Sequence, residues 1–202
     1  AAGVTLVSLS TTLATNALVE GRGRPVGLVL IGLDEARLGR ARLAEALGGD
    51  PVAFVAGGHG ADGGEREAFD EGALLAFVER WDELVEAWAV SALFATRNPA
   101  HERRAQALIA RTSDKPVSLG HTLSAGLDAP RRALTALLNA RLVPLIAELL
   151  DAARRLLAVR GIAAPLMVVK GDGSLIGAAV AADCPVETIL SGPAASLVGA
   201  SF

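Results

Sequence analysis

One cysteine, three histidines and no excess of positive charge are the first things to note in this 202-residue sequence. The lone Cys184 excludes an internal disulfide and suits a reducing compartment, so a cytoplasmic location is expected. Nineteen Lys and Arg stand against 22 Asp and Glu, a net charge of -3, and the positive residues are scattered. No basic footprint of a nucleic-acid binder is present, and no nucleic-acid partner is expected. The longest uninterrupted apolar run, Pro25 to Leu33, is about half of the roughly 20 residues that a membrane span needs, so no membrane association is expected. The charged, apolar and cleavable regions of a signal peptide are missing at the start, as is an initiating Met. The chain opens on Ala1-Ala2-Gly3 and passes at once into a strand-like segment, which reads as an internal piece of a longer protein.

Several chemical signatures are missing too. There is no GxSxG elbow for an acyl-transferring serine and no GxxxxGK[ST] loop for a nucleotide. Gly21-Arg22-Gly23 follows a helix and precedes a strand, the reverse of the order a dinucleotide fingerprint requires. His59, His101 and His121 are far apart and have no Cys or paired carboxylate at zinc-site spacing, so no metal site is expected. His101 is expected on a surface in the first turn of a helix, whereas His121, after Gly120 at a strand end, is open to a site role. Cys184, before a proline in an apolar context, is expected to be a buried and inert thiol.

What is present is a globular composition, 51% apolar and 20% charged, which excludes a disordered polyelectrolyte and a collagen-like repeat. Strand-like and helix-like segments alternate. Val4 to Leu9 leads into Ser10-Thr11-Thr12 and a helix from Leu13 to Glu20. Val26 to Ile31 is a continuous apolar run of the kind found in strands covered on both faces. Asp34 is placed to cap a helix reaching about Leu47, and Val52 to Ala56 is the next strand. Five glycines between Gly57 and Gly64 predict an exposed turn or mobile loop. Asp70 caps a helix through about Glu83, Ala87 to Thr96 is another buried strand, Asn98-Pro99 opens a helix, and Pro116 to Leu119 is a short strand. A long helical pattern runs from about Ala129 to Arg160, with Pro144 expected to bend or divide it and Gly161 to cap it. Leu166 to Val169 is a strand, and Gly192-Pro193 opens a last helical run toward Phe202. The fold class expected is α/β, a mostly parallel sheet flanked by helices with one long kinked helix in the second half. A first part, residues 1–125, would carry the alternating elements, and a second, 126–202, the long helix, the strand at Leu166 and the last helical run.

In such sheets ligands collect where strands end. Two strand-end segments have the right context, the hydroxyl cluster Ser10-Thr11-Thr12 and Gly171-Asp172-Gly173, and Ser191-Gly192-Pro193 is a third candidate at a helix start. Capping, an Asp-Gly turn and tight packing of an alanine-rich helix explain the same residues without a ligand.

Four ordered blocks together resemble the hydantoinase/oxoprolinase family, the ATP-dependent subunit related to N-methylhydantoinase, 5-oxoprolinase and the acetone carboxylases. They are Ser10-Thr11-Thr12-Leu13-Ala14-Thr15-Asn16-Ala17-Leu18-Val19-Glu20, Asn98-Pro99-Ala100-His101-Glu102-Arg103-Arg104, Leu138-Asn139-Ala140, and Pro185 to Ala195 with its Ser191-Gly192-Pro193-Ala194. The resemblance implies an actin-like, ribonuclease H-like ATPase architecture that clamps ATP and magnesium, and a parent enzyme that opens a cyclic amide or carboxylates a ketone through phosphoryl transfer. Its implied partners are a small cyclic amide or ketone and a second catalytic subunit. Exposed apolar helix faces would also be covered by homo-oligomerisation. Mapped by motif, Thr11, Thr12 and Asn16 would lie near the nucleotide cleft, Gly171, Asp172 and Gly173 on another strand-end loop, and Ser191, Gly192 and Pro193 at a helix start facing it. No catalytic base is assigned.

The sequence departs from the family pattern at three places. Leu9-Ser10 stands where relatives carry His-Gly, Asp172-Gly173-Ser174 stands where they often have Asn-Gly-Gly or Asp-Gly-Gly, and Arg132, Thr135 and Asn139 are what remains of a Tyr, Glu and Arg cluster. The family's two glycine-rich phosphate loops are not found in these 202 residues. The stretch alone is therefore expected to bind ATP weakly or not at all. A non-catalytic scaffold or regulatory module with the same fold is the alternative reading.

Overall fold

The computed structural model describes residues 3–36 and 42–199. The chain forms two compact units, a continuous one of residues Arg24–Arg141 and a discontinuous one that joins the residues up to Gly23 with those from Leu142 onward. The division therefore differs from the cut expected near residue 125. The discontinuous unit is made of both ends of the sequence, because strands far apart in the chain pair within it.

The continuous unit is built on a four-stranded parallel sheet in the order β3-β2-β4-β5. Its strands are β2 (Val26–Ile31), β3 (Val52–Val55), β4 (Ala87–Ala92) and β5 (Val117–Leu119). Every residue of β2 and β4 is buried, as their unbroken apolar runs predict. Successive side chains of β2 point to opposite faces. Val26, Leu28 and Leu30 pack with α2 (Leu43–Leu47) and with Ala133, Ala136, Leu137 and Ala140 of the long helix α6 (Ala129–Val159). Val29 and Ile31 face α3 (Glu71–Trp81) and α4 (Ala100–Ile109) through Leu74, Val78, Ala105 and Ile109. Gly27 is required between them, since a Cβ there would run into the Trp88 ring.

Local signals set the helix ends in this unit. The Asp70 carboxylate accepts from the Ala73 N–H at 2.9 Å and caps α3. Asn98 accepts from the Ala100 N–H at 3.1 Å ahead of α4. Of the helix expected from Asp34, α2 is its last part, and residues 37–41 lie outside the described residues. The glycine-rich stretch differs from its expected character: Gly57, Gly58 and His59 are buried.

The discontinuous unit holds a three-stranded sheet in the order β1-β6-β7. Strand β1 (Val7–Leu9) pairs in parallel with β6 (Leu166–Val169), with Leu9 level with Val168, and β6 pairs antiparallel with β7 (Leu175–Gly177). Helix α1 (Leu13–Val19) follows β1, a four-residue helix α5 (Gly120–Leu123) follows β5 in the other unit, and α7 (Ala178–Asp183) and α8 (Ser191–Gly199) follow β7. Ile146 and Leu150 of α6 pack on Val168, Ala178 and Ala181, and Leu142 packs on Ala14 and Ala17 of α1.

Helix α6 runs unbroken through Pro144, so the expected division does not occur. It is long and apolar enough to cross a membrane by length and composition, but Leu137, Leu142, Ile146 and Leu150 are buried inside the protein. Its end is a Schellman motif: Gly161, at φ +64°, donates to the Ala158 carbonyl at 3.0 Å, and Ile162 donates to Leu157 at 2.9 Å.

Candidate functional site

In the discontinuous unit, the segment leaving β1 meets the start of α8. Thr11 Oγ1 accepts from the Leu13 N–H at 3.0 Å, and Asn16 Nδ2 donates to Thr12 Oγ1 at 3.4 Å, so local groups occupy these hydroxyls as acceptors and leave their O–H protons to give. Ser191 is fully buried, and its hydroxyl donates to the Thr11 carbonyl at 3.0 Å. The Leu190 N–H donates to Thr15 Oγ1 at 3.0 Å. A Cβ at Gly192 would lie 3.2 Å from the Thr12 methyl, so a larger residue there would press on the threonine. Between these segments lies an open depression of about 600 Å³ lined by Ser10, Thr11, Thr12, Gly192, Ala195 and Ser196. Its polar lining is hydroxyl and backbone; among the described residues no Lys, Arg, Asp or Glu side chain contributes.

Helix α8 begins at Ser191 rather than at Gly192-Pro193. Leu190 takes the capping position at φ +64°, and its carbonyl accepts from the Ala194 N–H at 3.3 Å. Pro193 thus falls in the first turn, where its missing N–H leaves no bond unmade. It is exposed and does not line the depression.

Gly171, Asp172 and Gly173 have a different setting. They form the turn of the β6–β7 hairpin, closed by Lys170 N–H to Ser174 O at 2.8 Å and Gly173 N–H to Lys170 O at 3.0 Å. Asp172 accepts from the Ser174 N–H at 3.0 Å and from its hydroxyl at 2.6 Å, and these bonds hold its carboxyl below the ordinary range. Lys170 reaches Glu187 at 3.1 Å, which raises its ammonium. Gly171 packs on the Ile189 carbonyl so closely that a Cβ would collide with it. The three residues leave the sheet at the same edge as Ser10 to Thr12, because β1 and β6 are parallel neighbours, yet they do not line the depression. Cys184 is half-buried, and burial raises its thiol, in keeping with an inert cysteine.

The sequence reading missed two polar clusters in the continuous unit. Glu102 is fully buried: Oε1 accepts from the Ala92 N–H at 2.8 Å, and Oε2 accepts from the His121 N–H at 2.9 Å and lies 2.6 Å from His121 Nδ1. Arg132, also fully buried, donates to the Ala92 carbonyl at 2.8 Å and to Gly126 O at 2.7 Å. The N–H and the carbonyl of Ala92, the last residue of β4, are thus both held by buried charged side chains. A Cβ at Gly120 would come within 3.3 Å of the Glu102 carboxylate, so glycine makes room for it.

The second cluster overturns the surface position expected of His101. This ring is buried; its Nδ1 accepts from the Gly58 N–H at 2.9 Å and its Nε2 lies 3.0 Å from Glu65. His59 lies alongside, with ring centroids 4.3 Å apart. The signal for both clusters was the polar run His101-Glu102 in the first turn of α4, whose charge argued for solvent. Among the described residues no group of three or more His, Cys, Asp or Glu is arranged to hold a metal ion.

Comparison with known proteins agrees with this architecture. The caprolactamase subunit alpha of Pseudomonas jessenii is 30% identical over 204 residues, matching 92% of this chain and 29% of its own length. The crystal structure of the ATP-dependent caprolactamase from that organism superposes with a TM-score of 0.82 at 27% identity, over 96% of this chain and 30% of that one. A nucleotide-free acetone carboxylase shares the fold, with a TM-score of 0.75 at 20% identity over 96% of this chain and 31% of that one. The chain thus spans about three tenths of the length of these relatives. Residues 1–113 match the hydantoinase/oxoprolinase N-terminal region and residues 132–202 the hydantoinase/oxoprolinase family proper. With both halves matched in order, the chain belongs to the hydantoinase/oxoprolinase family.

Proposed function

We propose that this chain is part of an ATP-dependent enzyme that opens a cyclic amide, with carboxylation of a ketone as the other reaction in the same chemical class. The observation that carries the reading is the likeness, in both sequence and structure, to the ATP-dependent caprolactamase over more than nine tenths of this chain. ATP supplies a phosphoryl group that turns an unreactive amide or enol oxygen into a better leaving group. The chain's own residues would hold and orient the ligand. Thr11 and Thr12 would donate their hydroxyl protons to its oxygens, with Asn16 holding the Thr12 hydroxyl and Ser191, Gly192 and Pro193 forming the start of α8 beside it. Gly171, Asp172 and Gly173, which do not line the depression, would instead brace the neighbouring strand and the Ile189 carbonyl that leads into α8.

The fit to a phosphate-bearing ligand is partial. Hydroxyl donors and the Gly192 amide at the start of α8 suit phosphate oxygens, whereas the depression's described lining offers no carboxylate for magnesium, and no step is derived through that ion. Further phosphate donors, magnesium ligands and a second subunit belong to the proposal for the whole protein. The name of the relative, a subunit alpha, supports a partner subunit. The single, half-buried cysteine supports a reducing, cytoplasmic setting.

The test is phosphate release by the full-length protein with its partner subunit, on caprolactam, 5-oxoproline, hydantoins and small ketones in turn. Release that depends on one of these is expected. In that system Thr12→Val should raise the KM for ATP about 5- to 10-fold, the loss of one hydrogen bond, with little change in fold. No release with any of these substrates, from protein that is folded, would favour the non-catalytic scaffold.

A further inference from the structure

The glycine-rich stretch after β3 has a place in the continuous unit that its composition did not suggest. The sheet order β3-β2-β4-β5 means that the chain moves to one side of β2 and then to the other, so the topological switch lies between the carboxyl ends of β2 and β4. Open α/β sheets bind ligands in the crevice at that point. Here the crevice is filled by the protein's own loop. Gly58 packs on Leu93 and Gly32, and the His59 N–H donates to the Leu93 carbonyl at 3.1 Å. The loop then doubles back: His59 bridges Glu65, Gly60 N–H donates to Gly64 O at 2.8 Å, and Arg66 N–H donates to Gly58 O at 3.1 Å. Positive φ angles at Gly57 and Gly58, +141° and +91°, let the chain enter the crevice at all.

Two imidazoles lie against the loop. His101 Nδ1 accepts the Gly58 N–H, so its proton sits on Nε2 and is donated to Glu65. A proton added at Nδ1 would face the Gly58 N–H and break that bond. His59 is 2% exposed, its Nδ1 is buried with no hydrogen-bond partner, and it lies against His101. A charge on either ring would repel a charge on the other. Glu65 is the acidic group that faces the pair. Four other carboxylates on the packed elements have partners of their own: Asp62 the Gly64 N–H, Asp70 the Ala73 N–H, Glu71 Arg104, and Glu102 Ala92 and His121. Phe69 stacks on the other side of His101.

We propose that residues 57–66 form a proton-sensitive strap that closes the switch-point crevice of this sheet while His59 is neutral and lifts from it when His59 takes up a proton. Burial, and then His101, push the His59 imidazole below its ordinary value, while Glu65 opposes them. In the lifted state His59 titrates near the usual imidazole value of about 6.5. The closed form therefore binds fewer protons than the lifted one between that value and its own lower one. The strap is fully closed above about pH 6.5 and loosens as pH falls, by up to about tenfold in the opening equilibrium per pH unit through the one proton that His59 takes up.

Hydrogen exchange on the intact chain, read as protection factors at pH 7.5 and 5.5, tests the strap. Protection at Gly58, His59, Gly60 and Arg66 should fall by up to about 10-fold, while Val29 and Val90 in the central strands hold theirs. His59→Leu, which removes one proton-binding group whose Nδ1 has no partner to lose, should keep the strap closed and lessen its pH dependence. Loop protection that is unchanged at pH 5.5, central strands that lose theirs in parallel, or an unaltered pH dependence in His59→Leu would overturn the proposal.

Discussion

Glu102 illustrates how a single side chain can be hidden from sequence reasoning and still organise a structure. Helix patterning assigns a charged residue in a polar first turn to solvent, but the end of β4 leaves backbone groups that the ladder no longer satisfies, and a buried carboxylate meets them. Three donors converge on Glu102, two of them backbone amides. Glu102→Gln keeps the shape but turns an amide NH2 toward groups that already donate. It should destabilise the continuous unit by about 3 kcal/mol, the scale for losing one partner of a buried charged pair. Urea unfolding followed by tryptophan fluorescence measures this directly, because the protein's two tryptophans, Trp81 and Trp88, both belong to this unit. The hydroxyl residues were more legible. Thr11 and Thr12 stood out as hydroxyls at a strand end and Ser191 as part of a segment at a helix start, and the structure joins the two segments through the Ser191 to Thr11 bond. The glycines at 171 and 173 were visible as a turn, but that the turn closes a hairpin depended on β7, three residues long and too short to leave a periodic pattern.

At the level of elements, length decided what could be read. The buried runs of β2 and β4 and the broad apolar face of α6 carry strong patterns, and the structure has them within a few residues of the expected ends. Short elements such as α7, six residues of mostly alanine, give no periodicity to recognise. Pro144 shows the limit of a strong local rule. It removes one hydrogen bond from α6, yet packing before it on the β2 face and after it on β6 keeps the helix continuous. The end of α6 obeys the local rule fully, since Gly161 adopts the left-handed conformation that its two capping bonds require. Nothing lies within 4 Å of where a Cβ would be at Gly161, so Gly161→Ala tests conformation without a clash. It should destabilise the discontinuous unit by about 1 kcal/mol, read as a lower urea midpoint for exposure of Cys184.

At the level of the whole molecule, the feature beyond the reach of a linear reading was which segments share a core. Strand β1 finds its partner in β6, more than half the chain away, and residues Val7 to Leu9 carry no mark of that choice. The consequence is two hydrophobic cores of unequal size. Among the described residues, the continuous unit buries two clusters of fourteen apolar residues each, whereas those of the discontinuous unit have five and three. Burial is the dominant favourable term in folding, so the discontinuous unit, which carries the hydroxyl-lined depression, should open first. The sequence provides one reporter for each. Cys184, the only cysteine, lies in the discontinuous unit, and both tryptophans lie in the other. In a urea series, reaction of Cys184 with a thiol reagent should become fast at a lower concentration than the tryptophan transition. Coincident curves would mean that the two cores unfold as one. A ligand shifts an unfolding curve only if it binds the folded form. With the phosphate loops not found in these 202 residues, magnesium-ATP added to the same series should leave both curves where they were, and a move of the Cys184 curve to higher urea would show that this stretch suffices to bind nucleotide.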